Sequence, residues 1–455
     1  MKKRFVILAE LSGLLTLLFA LLVPALASAD FTPTTTSYPT TSSYLTGIAP
    51  GPDGDMWYSS RVYGKIGKMT PNGTVTEYTP PSSDDTPSIT AGPDGNMWFT
   101  EFNQDKVGKV TTSGSFTEYS IPTSGARAYQ IVSGPDGNLW FLENYGNKIG
   151  KITTSGVITE YTIPTSSSNP QGLTVGPDGN LWFTETSSSK IGKITTSGVI
   201  TEYSIGSANP SKITAGTDGN LWFTTYDAHV GKITTSGTYT LYATSDWSSG
   251  ITTGPDGLIW FTYVTGAYGI GSITTDGTVT NYLLPGSPYS LQMTNDTSNN
   301  LWLSVYESSG KLIKFAFPPK PTLAHSTLAP NVISGKSVVV DVLSGATGNP
   351  DITTLGIISG PSHGTALDSS GTITYSSTAG YNGADSLTYK VCSADYSLMC
   401  AQGTLTFNVL AASVTSPETG YGHFIDTNNL IIIASSVLAA LLVGGAYILN
   451  KKENK

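Results

Sequence analysis

Three glutamates, Glu101, Glu143 and Glu185, each follow a tryptophan by three residues in neighbouring copies of one phrase. Carboxylates at one level of adjacent repeats have the oxygen chemistry to hold a divalent cation. A second and favoured reading makes them part of the repeated phrase, capping a strand at the surface, because a motif match needs its structural context to become a site. A less repetitive set stands where each copy enters its first strand: Tyr129, Gln130, Gln171, Lys212, Trp247, Tyr289 and Gln292. A repeat protein places specificity where residues vary within a fixed frame. Ring faces and amides around a polar mouth suit a sugar or peptide, so Tyr129, Gln171, Trp247 and Tyr289 are the candidate ligand contacts. Of the four histidines only His229 falls inside the repeats, near Asp227. The repeats contain no Gly-x-Ser-x-Gly elbow, and the chain has no zinc-type Cys/His cluster.

These residues are carried by a repeat. Aligned on Trp57, Trp98, Trp140, Trp182, Trp222, Trp260 and Trp302, the copies are spaced 41, 42, 42, 40, 38 and 42 residues apart. A period near 40 that reads as short strands points to a propeller. In the copy around Trp182 the β-type runs are 172–175, 181–185, 190–195 and 199–205, separated by Pro177-Asp178-Gly179-Asn180 and by Ser197-Gly198. Four antiparallel strands make one blade. Counting from a two-residue Ser197-Gly198 loop places Lys193 opposite Glu202, and likewise Lys68 opposite Glu77, Lys109 opposite Glu118 and Lys151 opposite Glu160. The seventh copy lacks an outer strand, while Thr35-Thr36-Ser37-Tyr38-Pro39 resembles one. An N-terminal strand that completes the last blade would close the ring and leave no open edge.

The expected fold class is all-β: a seven-bladed β-propeller over residues 30–319, then an immunoglobulin-like β-sandwich over 320–412. Strand patterns such as "VVVDVLSG" and "GTLTFNVL" follow the Pro318-Pro319-Lys320-Pro321 linker without the tryptophan phrase. Cys392 and Cys400, an even count in an exported chain, are expected to pair. Residues 1–29 have the layout of a signal peptide: Lys2-Lys3-Arg4, an apolar run, then Ala27-Ser28-Ala29. Residues 430–449 are an uncharged run long enough for a transmembrane helix, followed by the basic tail 450–455. Between those two ends stand 17 basic and 30 acidic residues, a net charge of −13 that argues against nucleic-acid binding. The localisation expected is the cell surface, with the membrane as partner of the C-terminal helix.

Three resemblances add to this reading. The phrase Gly-Pro-Asp-Gly-Asn-Leu-Trp-Phe-Thr-Glu with Lys-Ile-Gly-Lys-Ile-Thr resembles the virginiamycin B (streptogramin) lyase family of seven-bladed propellers. That resemblance implies magnesium-assisted opening of a cyclic depsipeptide. The family's catalytic offsets fall here on Ser249 and Leu291 in place of two histidines, on Tyr289 and Val305 in place of two glutamates, and on Thr46 in place of a tyrosine. Serine and leucine are no substitute for imidazole as a base, and valine ligates no metal. The segment 322–411 resembles bacterial immunoglobulin-like or cadherin-like modules and reads as a stalk. "SPETG" in the linker 413–429 resembles a sortase sorting signal of the Leu-Pro-x-Thr-Gly type, which implies sortase as a possible partner and cleavage between Thr419 and Gly420. The combined expectation is a surface-anchored, non-catalytic module for a glycan, peptide or surface-protein ligand. The alternatives are a lyase-like or other metal-dependent enzyme, with a divalent cation such as magnesium as cofactor, and a structural envelope protein.

Overall fold

The computed structural model describes residues 34–412, apart from 63, 264–268, 285–288 and 324–328. The signal-peptide, transmembrane-helix, Thr419 and Gly420 expectations lie outside the described residues. Among the described residues no helix is long and apolar enough to cross a membrane.

Seven four-stranded antiparallel sheets form a ring. Blade four is typical, with strands Pro170–Val175, Leu181–Glu185, Lys190–Ile194 and Ile200–Ser204 running from the axis outwards. Blade seven is built from Ser290–Asn295, Leu301–Val305, Lys311–Ala316 and, as its outer strand, Thr34–Pro39 from the other end of the propeller. That strand runs antiparallel to Lys311–Ala316, so the ring is closed by hydrogen bonds and neither end of the array is left as an open edge.

The repeated phrase is a description of the blade core. The Asp178 carboxylate accepts the Trp182 indole N–H at 2.9 Å, the Tyr203 ring stacks on Trp182 at 5.6 Å, and the Lys193 ammonium lies 5.3 Å above the indole. The same indole-to-aspartate bond, 2.9 to 3.1 Å long, occurs with Asp53, Asp94, Asp136, Asp218 and Asp256. The fixed Asp therefore satisfies the one donor that a buried tryptophan brings.

The expected Lys–Glu register is corrected. Lys193 faces Thr201, and Glu202 faces Gly192. The hairpin closes from Thr195 to Val199 around Gly198 at φ +94°, one residue longer than a tight Ser197-Gly198 loop, which shifts the pairing by one. The glutamates pair instead with the lysines that open the third strand: Lys190–Glu202 at 3.0 Å, Lys148–Glu160 at 2.8 Å and Lys106–Glu118 at 2.7 Å. Lys193, Lys151 and Lys109 reach Asp178, Asp136 and Asp94.

The second domain is a sandwich. One sheet holds Asn331–Ile333, Cys400–Leu410, Gly383–Ser393 and Pro350–Ser359, and the other Ser337–Asp341, Thr372–Ser377 and Gly364–Ser369. Cys392 and Cys400 face each other at a strand end and are disulfide-bonded. The loop they close docks on blade six: Tyr396 and Met399 pack with Phe317, Trp260 and Leu301, and the Tyr396 hydroxyl donates to Asp256 at 3.0 Å. Blade six is suited to this because Ser272 stands opposite Trp260, where the other blades place a lysine, leaving Asp256 without that cation. Tyr396→Ala should weaken the coupling between the two domains by about 2–4 kcal/mol. The check is calorimetric: separation of one unfolding transition into two, with new proteolysis at 318–321.

Candidate functional site

The inner strands of six blades, all but blade four, line an axial cavity of about 250 Å³, and a smaller one of about 100 Å³ opens at the end where those strands begin. Lys212 and Gln292 belong to both walls. Each stands ten residues before its blade tryptophan, as do Gly47, Ser88, Gln130, Gly172 and Gly250. Three of the seven positions are glycine, which leaves room for the long side chains of the others.

The Lys212 ammonium is fixed by neutral groups. It donates to the Gln171 carbonyl at 3.0 Å and to Gln130 Oε1 at 3.2 Å, and lies 4.5 Å above the Tyr129 ring. Burial pushes the amine down to about 7. Across the smaller cavity Arg61 pairs with Asp85 at 3.1 Å and donates to the Tyr306 hydroxyl at 3.3 Å. Burial, opposed by Arg61 and reinforced by Asp84, raises the Asp85 carboxyl to about 6, and among the described residues its Oδ1 has no hydrogen-bond partner.

All four expected ligand contacts lie around this mouth, in different roles. Tyr129 lines the cavity, with Phe102 edge-on at 6.2 Å. Gln171 braces the wall, accepting from the Tyr226 hydroxyl at 2.8 Å. Trp247 packs behind Tyr226, ring centres 5.7 Å apart, and Tyr289 stands edge-on to Tyr306 at 5.7 Å. Arg61, Asp85, Phe102 and Tyr226 were not among the expected contacts. Arg61, Phe102, Tyr226 and Tyr306 all stand four residues after the blade tryptophan. That column was the signal that would have found them.

The glutamates three residues after tryptophan do not converge. Glu101, Glu143 and Glu185 are buried, each inside its own blade beside Glu118, Glu160 or Glu202. Among the described residues no group of three or more His, Cys, Asp or Glu could hold a metal ion. The expected surface cap is also corrected, because side chains at this position turn inwards between strands and not to solvent. His229 opens the third strand of blade five, its Nδ1 2.9 Å from the Asp227 carbonyl oxygen, and lines neither cavity.

The family model of the virginiamycin B lyases matches residues 25–210 and 205–313. The chain belongs to the virginiamycin B lyase family. A streptogramin B lyase structure is 33% identical with a TM-score of 0.58, covering 62% of this chain and 97% of that one. Virginiamycin B lyase from Staphylococcus aureus is 33% identical with a TM-score of 0.59, at 62% and 99% coverage. A catalytically inactive histidine-to-alanine variant of that enzyme, with quinupristin, is 32% identical with a TM-score of 0.59 and the same coverage. Residues 319–408 match a bacterial Ig domain. A comparison with curated proteins returned no match.

Three of the family's catalytic positions meet in the small cavity: Thr46, Ser249 and Leu291 all line it. Both hydroxyls are engaged, Thr46 donating to the Thr86 carbonyl at 2.7 Å and Ser249 to that of Ser290 at 3.0 Å. Val305 is buried in the second strand of blade seven. Magnesium, which the family implies, does not fit this donor set, since a phenol and an isopropyl group stand where the resemblance places its carboxylates. The small cavity thus presents an amine, an ion pair and aromatic walls, with no imidazole among the residues that line it.

Proposed function

We propose that this propeller is a non-catalytic ligand-binding head, carried on its Ig-like domain at the surface of the cell that exports it. The observation supporting this reading is the small cavity itself. The family's catalytic positions line it as Thr46, Ser249 and Leu291, while Tyr129, Phe102 and Tyr226 give it stacking faces. Stacking and amide groups fit a glycan or peptide.

The test is binding of the labelled chain to an array of glycans, peptides and cell-surface extracts. A specific hit should weaken at least about ten-fold in Tyr129→Ala and in Trp247→Ala, each worth about 1.4 kcal/mol or more. Hits that ignore both substitutions would remove the reading. A lyase reading draws support from the family membership. Magnesium-dependent linearisation of a cyclic depsipeptide such as quinupristin, lost in Lys212→Met, would establish it instead.

Export by residues 1–29 and anchoring through 430–449, or through Thr419 after sortase cleavage, complete the proposal. Mass spectrometry of the envelope-released protein distinguishes a C-terminus at Thr419 from one at Lys455.

A further inference from the structure

We infer that the small cavity is a carboxylate subsite, with Lys212 as its cation and the free oxygen of Asp85 as acceptor for a donor on the ligand atom next to that carboxylate. This inference rests on the ligand-binding reading and names the chemistry of the ligand. Two independent observations carry it. The first is an enclosed amine whose fixed contacts, Gln130 Oε1, the Gln171 carbonyl and the Tyr129 ring, are all neutral, although it faces an open cavity. An ammonium removed from water without a counter-ion is a poor arrangement by itself, and a ligand carboxylate supplies the missing charge.

The second is Asp85. Arg61 neutralises its charge through Oδ2, yet Oδ1, shielded from solvent, accepts no hydrogen bond among the described residues. A buried acceptor without a partner is a place prepared for a donor. The C-terminal residue of a peptide has an N–H beside its carboxylate, and a sugar acid of the aldonic type has an O–H there. Both offer the same pair of groups, and the stacking faces of Tyr129 and Tyr226 accept either.

The titratable groups lining the cavity are Arg61, Asp85, Tyr129, Lys212 and Tyr226. At pH 8 Asp85, at about 6, is ionised, whereas Lys212, at about 7, is mostly neutral. An arriving carboxylate favours the ammonium, so binding at pH 8 takes up a proton.

The experiment is calorimetric titration of the purified chain at pH 8, in two buffers of different protonation enthalpy. The probes are alanyl-alanine against its C-terminal amide, and gluconate against gluconamide. One acid should bind at least about ten-fold tighter than its amide. Binding should take up a proton, and Lys212→Met should lose the preference while Lys212→Arg keeps much of it. A winning dipeptide assigns a peptide terminus, and winning gluconate a sugar acid. Equal affinity of acid and amide, absence of binding by either acid, or an unchanged preference in Lys212→Met overturns the inference. The acid-to-amide comparison needs no variant, so misfolding cannot imitate that result. Array binding that depends on Tyr129 and Trp247 while both acids fail would remove the carboxylate inference alone.

Discussion

Gly192→Ala is expected to be among the most destabilising single-methyl additions in the propeller. Gly192 pairs directly with Phe183, and a Cβ on it would lie 2.0 Å from the ring Cζ. Phe183 is fully buried, so the ring cannot swing into solvent. Five other blades repeat the arrangement: Gly67 under Tyr58, and Gly108, Gly150, Gly231 and Gly271 under Phe99, Phe141, Phe223 and Phe261. Blade seven solves the same space differently, with Leu303 opposite Ile313. The ring and the missing side chain are therefore two halves of one packing unit. Overpacking of this kind destabilises by about 1–3 kcal/mol, and the upper end applies where the contact is with a locked ring. Equilibrium denaturation should show that loss for Gly192→Ala. Transplanting the blade-seven pair, Gly192→Ile with Phe183→Leu, should recover a large part of what Gly192→Ile loses alone, because residues in direct contact are not additive. Additive losses would mean that the two sites do not share the space.

The blade count and closure were legible because they depend on period and on a missing strand. Tryptophans 38–42 residues apart set seven units, and an incomplete seventh copy with a spare strand at residues 35–39 left one topology that closes the ring. Pairing inside the blade was not legible from spacing. One misjudged loop around Gly198 moved the strand register by a residue, and in a period-two element that puts Lys193 and Glu202 on opposite faces. The same sensitivity explains the site. Three residues after tryptophan the side chain turns into the blade, as Glu143 does, whereas the next residue reaches the mouth, as Arg61, Phe102 and Tyr226 do. Tyr129 and Lys212 were visible as departures from the repeat. Asp85 was not, because its meaning comes from Arg61, a residue of the preceding blade.

The buried glutamates lead to the second large effect, a dependence of propeller stability on pH. Glu143 is buried beside Glu160, and burial, followed by the charge of that neighbour, raises it to about 8. Glu101 and Glu185 rise to about 7, again by burial first. Glu160 goes the other way: despite its own burial, hydrogen bonds from Lys148 and Thr123 hold it below the usual range. One member of each pair thus keeps its proton while the other takes the lysine. An acid whose folded value is raised binds a proton that the unfolded chain releases above about 4.5. Its stabilising contribution is complete below that value and is lost as pH rises towards 8. Thermal stability should accordingly fall between pH 5 and pH 8. Glu143→Gln is neutral and nearly isosteric, so it should match the parent at pH 5 and exceed it at pH 8 by about 1–3 kcal/mol. Glu160→Gln, which gives up the bonds from Lys148 and Thr123, should lose stability at both. Parallel losses in Glu143→Gln at the two pH values would show that Glu143 is ionised and belongs to Lys148, and the proton would then have to be placed on Glu160.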